Sequence, residues 1–209
     1  HIDDLPLFAP KQAILEVLAG LESLFLDDQI EGEFEFSGDV MVRLHDETYP
    51  ARLYTEQRGG RSRLRFSRSD LDAMIEAAEI DLSSEQVELI SLYPLRVPTL
   101  LDITRRARSF SKEIFPDDFY LRDALRHVSW SYLLTREFGS EFALEVTDAQ
   151  ETRLGNTPNE RVMDFHNNAV GRRLAMAGTG WRQLPLVVKQ DSDVIRHPDE
   201  VDSRTDLLH

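Results

Sequence analysis

Thr157-Pro-Asn-Glu-Arg-Val-Met-Asp-Phe-His-Asn-Asn-Ala-Val-Gly-Arg-Arg-Leu-Ala-Met-Ala177 carries the strongest helix-start signal in the chain. Thr157 and Glu160 form a capping box, each able to satisfy a backbone N–H of the first turn, and Pro158 stands at the first helical position, where its missing donor does no harm. Gly178 follows as a stop, so the pattern predicts a helix to about Ala177. Within it, Asp164, His166, Asn167 and Asn168 occupy positions where a bundle helix would carry hydrocarbon. Helical geometry puts Asp164, Asn168, Gly171 and Ala175 on one face, with Gly171 and Ala175 small enough to admit a neighbour's backbone. His166 falls on the opposite side, with Val162, Ala169 and Val170, and Asn167 lies between.

Two further polar strings sit upstream. Asp123-Ala-Leu-Arg-His127 lies in a helix opened by Pro116-Asp-Asp and closed by Gly139, and Thr147-Asp-Ala-Gln-Glu151 in one starting at Ser140. Asp123, His127, Trp130 and Leu134 share a stripe, so the Asp123 carboxylate can fix the His127 tautomer or join it at a metal. Arg126, on an adjacent face, suits an anion. Asp148 and Glu151, one turn apart, repel unless a cation, a proton or an arginine lies between them. Burying such groups is expensive unless they are paired, hydrogen-bonded or on a metal. Their concentration in three consecutive helices therefore predicts one convergent site.

Further out, Pro98 marks the first turn of a helix from about Val97 to Lys112. Ser83 and Gln86 make a capping box for a short helix ending before Tyr93-Pro94, and Ser67 or Ser69 caps one running to about Glu79. Ahead of these, Glu33–Phe36, Val40–Leu44, Ala51–Thr55 and Leu64–Phe66 read as short strands. Ser37-Gly38-Asp39, His45–Tyr49 and Arg58-Gly59-Gly60 are the turns between them. Apolar residues from Ile14 to Leu24 predict a helix over Pro10–Leu24. The expected fold is α+β, mostly α: an N-terminal helix and antiparallel β-meander over 1–66, then a multi-helix bundle over 67–209. The polar end, Asp191–His209, is expected to be loosely held.

The chain has 38 acidic against 24 basic residues and a net charge of −14. That argues against a nucleic-acid surface, which needs clustered Lys and Arg, and leaves room for a cation or a basic protein partner. Cysteine is absent, which removes disulfides and thiolate metal sites. No run approaches the ~20 apolar residues of a spanning helix. The chain opens on His1, as a processed product or a piece of a longer protein would.

The candidate assignments are His127, Asp123 and Asp164 as catalytic groups. Arg126, Asn167 and Trp130 are candidates for substrate binding, and His127, Asp148, Glu151, Asp164 and Asn168 for holding a divalent cation, with His166 behind them. Each has an ordinary reading too. An Asp–His pair on a helix is often a structural hydrogen bond, Asp148 with Glu151 a solvated face, Trp130 core, and Arg172-Arg173 surface charge.

These strings resemble a bacterial family of unknown function whose helical domain reads approximately Asp-Ala-x-Arg-His-x-x-Trp, Asp-Ala-His-Glu and Met-Asp-x-His-Asn-Asn-x-x-Gly-Arg. The matching residues are Asp123, Ala124, Arg126, His127 and Trp130; Asp148, Ala149 and Glu151; and Met163, Asp164, His166, Asn167, Asn168, Gly171 and Arg172. The similarity runs from near Glu85 to Ala177, about half the chain. The family has His where this chain has Gln150, so any role of that His is altered here. The resemblance implies an all-helical module of exported or toxin-like proteins, delivered outside the producing cell, and brings no known reaction.

Gly-x-Ser-x-Gly, a Gly-rich phosphate loop, a dinucleotide fingerprint and His-Glu-x-x-His are all missing. What remains is a carboxylate, imidazole and amide set. It suits a hydrolase, either metal-assisted or by His–Asp acid–base chemistry, with Arg126 steadying an anionic group such as a phosphate; the resemblance to toxin-like proteins implies a cell-envelope substrate. The alternative is a non-catalytic acidic binding or adaptor module whose polar helix network is structural.

Overall fold

The computed structural model describes residues 29–44, 47–77, 82–151 and 156–204. The helix expected over Pro10–Leu24 lies outside them. Gly59 and Gly60 both have positive φ, 61° and 76°, as a two-residue hairpin turn of mirror-image type requires. They join β3 (Glu47–Arg58) to β4 (Arg61–Phe66) with Arg58 opposite Arg61. Leu44 pairs with Glu47 at the preceding hairpin, so β2 (Ser37–Leu44), β3 and β4 form the expected antiparallel meander. A short β1 (Gln29–Glu31) pairs with β4, and the sheet order is β1-β4-β3-β2.

Three local expectations are corrected. Glu47–Tyr49, expected within a turn, already belong to β3 and pair with Val42–Leu44. Ser37-Gly38-Asp39 is strand rather than turn, Gly38 pairing with Leu53. A Cβ at Gly38 would come within 3.0 Å of the Phe36 ring, so the glycine makes room for an aromatic. Glu33–Phe36 is not a strand. It links β1 at one edge to β2 at the other, and side chains of the hairpin serve it in place of a ladder. Phe34 N–H donates to Ser62 Oγ at 2.6 Å, Phe36 N–H donates to Thr55 Oγ1 at 2.9 Å, and Gln57 Nε2 donates to the Phe34 carbonyl at 2.9 Å.

Alternation along β3 and β4 turns Ala51, Leu53, Leu64 and Phe66 into a core completed by Leu71 and Met74 of α1 (Arg68–Ala77), Val87 of α2 (Ser84–Leu92), Leu95 and Val97. The Ser83–Gln86 capping box opens α2 as the spacing predicts. The chain divides into two compact units between Pro98 and Thr99. That place follows from α1 and α2 sharing the sheet's core, and not from the change of strand to helix at Phe66.

The second unit is helical: most of α3 (Val97–Ile114), then α4 (Phe119–Phe138), α5 (Ser140–Glu151), α6 (Pro158–Met176) and α7 (Leu184–Gln190). Asp118 caps α4 by accepting from Leu121 N–H, Gly139 ends it with φ 89°, and the Thr157–Glu160 box and Pro158 open α6. Ala124, Leu125, Val128 and Leu134 of α4 are buried with Met163 and Val170 of α6 and Leu184 and Val188 of α7. The end of the chain is not loose up to Arg204. Val194 and Ile195 are fully buried. Arg196 donates to the carbonyls of Val188, Val194 and Asp191, and Arg204 to that of Ser192. Polar composition misled because these side chains serve backbone carbonyls. No helix among the described residues is long and apolar enough to cross a membrane.

The helical unit is organised by the approach of α4 to α6. A Cβ on Gly171 would stand 2.3 Å from the Val128 carbonyl oxygen and 3.1 Å from Tyr132 N, which are backbone atoms that cannot swing aside. Gly171→Ala is therefore expected to destabilise the helical unit by about 1–3 kcal/mol, although alanine is the better helix former. Urea unfolding followed by circular dichroism would measure the loss.

Candidate functional site

That close approach sets His127, next to Val128 on α4, against Asp164 and Asn168, which lie seven and three residues before Gly171 on α6. His127 is 2% exposed. Its Nδ1 faces two acceptors, Asn168 Oδ1 at 3.3 Å and Glu151 Oε1 at 3.6 Å. The ring proton is therefore assigned to Nδ1. Asn168 in turn donates from Nδ2 to Glu151 Oε1 at 3.2 Å. The chain His127–Asn168–Glu151 fixes both the tautomer and the plane of the imidazole.

The Nε2 lone pair then points to the other side. There it accepts from Arg126 Nη2 at 2.8 Å and lies 3.2 Å from Asp164 Oδ1 and 3.8 Å from Asp123 Oδ2. Arg126 is also held by Asp123 Oδ1, through Nε at 3.1 Å and through Nη2. With the proton on Nδ1, the contact of Nε2 with Asp164 Oδ1 sets acceptor against acceptor when Asp164 is ionised, and becomes a hydrogen bond donated to Nε2 when Oδ1 carries a proton. Asp164 Oδ1 is buried, and no protein donor serves it. Its other oxygen accepts from Asn156 Nδ2 at 2.8 Å.

Three carboxyl groups thus surround one imidazole and one guanidinium. Burial, reinforced by Arg126, pushes His127 from its ordinary 6.5 down to about 3, so the ring is neutral. Burial, followed by the charges of Glu151 and Asp123, pushes Asp164 up from 3.8 to about 8. Burial raises Glu151 as well. The excess negative charge needs a proton or a cation. One ligand atom from each of Asp123, His127 and Asp164 lies within 4.8 Å of the others, close enough that the three could hold one metal ion. The more exposed members of the group are Asp123 and Arg126, whose side chains are 18% and 34% exposed.

Residues 87–193, half of the 209-residue chain, match the family described as a domain of unknown function, DUF6973. The chain belongs to this family. No curated protein and no solved structure matches it. The DUF6973 match contains every side chain of the cluster. It also extends past Ala177, where the resemblance was expected to fade, through α7 to Asp193.

Asp193 explains the second face of α6. His166 Nε2 donates to the Asp193 carbonyl and lies 3.3 Å from its carboxylate. Asn167 donates to the Ile195 carbonyl at 2.8 Å and accepts from Ile195 N–H at 3.1 Å. Asn167, expected at substrate, therefore spends both ends of its amide on the chain following α7. Trp130, likewise expected at substrate, donates to Thr104 Oγ1 of α3 at 3.1 Å. Asp148 does not join the cluster. The antiparallel pairing of α5 with α6 sets Glu151 beside Asn168 and, one turn on, Thr147 within 3.1 Å of Arg172. There burial raises the Asp148 carboxyl and Arg172 opposes the rise. Arg172 itself is half-buried rather than free surface charge. Asn156 was not among the candidates. It reaches Asp164 because it stands just before the N-cap and folds back over the first turns of α6.

These shifts set a pH dependence. Between about 4 and 6.5 the unfolded chain holds its proton on His127 and the folded protein holds one on Asp164, so the two effects offset. Between 6.5 and about 8 the unfolded chain has lost both, while the folded protein keeps the Asp164 proton. The raised Asp164 pKa thus contributes stability that is lost as pH rises through about 8. Metal-free protein is expected to melt progressively lower from pH 6.5 to 8, and Asp164→Asn to flatten that slope. Thermal unfolding of both proteins across this range is the measurement.

Proposed function

We propose that the helical unit is a divalent-metal-dependent hydrolase of phosphoester substrates. In this reading Asp123, His127 Nε2 and Asp164 hold the ion, with Glu151 and Asn168 behind the imidazole. The observation that carries it is Asp164 Oδ1, a buried carboxyl oxygen that no protein donor serves, set against an imidazole lone pair so that a proton or a cation must lie between them. An imidazole whose other nitrogen donates to an amide oxygen is oriented as metal-ligating histidines are. A mixed nitrogen and oxygen set suits Zn²⁺ or Mn²⁺.

A bound divalent ion would bring the ionisation of its water close to neutrality and polarise a phosphoryl oxygen. Arg126 occupies the Nε2 pole through its guanidinium. On ion binding it would be released towards solvent, where its planar fork is suited to a phosphate. The 2% side-chain exposure of His127 and Glu151 favours one alternative, a polar network or ion that only stabilises the bundle.

Metal-stripped protein titrated with Mn²⁺ or Zn²⁺ in a calorimeter is expected to bind one ion. Affinity should rise up to about pH 8 as the Asp164 proton is displaced. Asn168→Ala is expected to weaken binding roughly 10–100-fold, and Asp164→Asn to weaken it more while the fold survives. The loaded protein should hydrolyse bis(4-nitrophenyl) phosphate, and Asp164→Asn should not. Absence of ion binding removes the metal-dependent reading. Binding without hydrolysis leaves the structural alternative.

A further inference from the structure

The sheet unit carries a second concentration of charge, of the opposite sign. Arg58 and Arg61 face each other across the end of the β3–β4 hairpin, Arg63 follows on the same face of β4, and Gln29 of β1 pairs with Arg63. These four residues line a hollow of about 100 Å³, with room for several water-sized groups at ~10–15 Å³ each. Two other arginines on this face are matched with acids. Arg52 meets Asp39 at 3.2 Å, and Arg65 meets Glu56 at 3.1 Å and Glu88 at 2.9 Å.

The arginines of the hollow are different. Arg61 has Glu31 at 3.7 Å, with both side chains largely in solvent. Among the described residues, Arg58 and Arg63 have no ion pair. Arg63 Nε, like that of Arg65, is buried without a hydrogen-bond partner, and the Arg63 guanidinium is steadied over the Tyr93 ring, 5.3 Å from the centroid. Like charges directly opposite on paired strands repel. In a chain with 38 acidic residues against 24 basic ones, three arginines that share a single Glu31 contact among the described residues are the exception.

We infer that the hollow is an oxyanion site that takes a phosphate group. Three guanidinium forks offer more donors than the two oxygens of a carboxylate can accept, whereas a tetrahedral dianion presents an oxygen to each. This inference concerns the sheet unit and does not rest on the reading of the helical site.

The test uses the full chain, metal-stripped, titrated with inorganic phosphate and, at equal ionic strength, with acetate. Saturable binding of phosphate is expected, with acetate at least tenfold weaker. Arg58→Gln and Arg63→Gln should each weaken phosphate binding tenfold or more, while Arg52→Gln, whose partner is Asp39, should leave it unchanged. Without phosphate, Arg58→Gln should melt no lower than the parent, because it removes a repulsion, so its loss of binding is not loss of fold. Sedimentation with phosphatidylcholine vesicles containing phosphatidic acid separates the sources. Arg58-dependent pelleting assigns a lipid headgroup, and phosphate binding without pelleting assigns a soluble ligand. The inference is overturned by absence of saturable binding, by acetate binding equally well, or by binding that survives both Arg58→Gln and Arg63→Gln.

Discussion

The backbone contact between α4 and α6 at Gly171 is the constraint on which the rest of the helical unit depends. A helix pair separated by ordinary side chains would leave His127 too far from Asp164 and Asn168 for hydrogen bonding. With no Cβ at 171, the Val128 carbonyl comes down onto the α6 backbone, and the neighbouring imidazole arrives 3.2 Å from one α6 side chain and 3.3 Å from another. The same glycine that weakens α6 as an isolated helix is what permits the polar cluster to form.

Once the imidazole is enclosed, electrostatics leaves little freedom. Its Nδ1 proton is claimed by Asn168, whose orientation is in turn set by Glu151. The remaining lone pair faces carboxylates that cannot all stay ionised in a dry interior. One guanidinium, that of Arg126, offsets part of the charge. The remainder falls on Asp164, which answers by holding a proton until about pH 8. The buried Asp164 Oδ1 is satisfied by that proton, or by a cation in its place.

Helix α6 serves two purposes because its polar residues point two ways. Asp164 and Asn168 face α4. His166 and Asn167 hold the segment after α7 through Asp193 and Ile195. That division into faces follows from helical periodicity and was legible in the order of the residues. So were the caps at Ser83, Asp118 and Thr157, the stop at Gly139, and the Gly59-Gly60 turn, because each depends on atoms within four residues along the chain. Less visible were features that pair distant segments. Gly38 reads as a turn until Phe36 is seen lying across it. Asp191–Arg204 reads as a frayed end until its arginines are found on backbone carbonyls.

The sequence by itself determined the helices, their faces and the presence of more buried ionisable groups than a hydrocarbon core would accept, since periodicity, capping and composition are local properties. Which of those groups meet was decided by tertiary structure. Asp148 and Glu151 are equivalent on their own helix. The antiparallel crossing with α6 gives Glu151 to Asn168 and turns Asp148 towards Arg172. Asn156, unremarkable in the chain, touches Asp164 because of where the first turn of α6 begins. The meeting of side chains is a matter of helix-to-helix register, and register is set by packing in three dimensions.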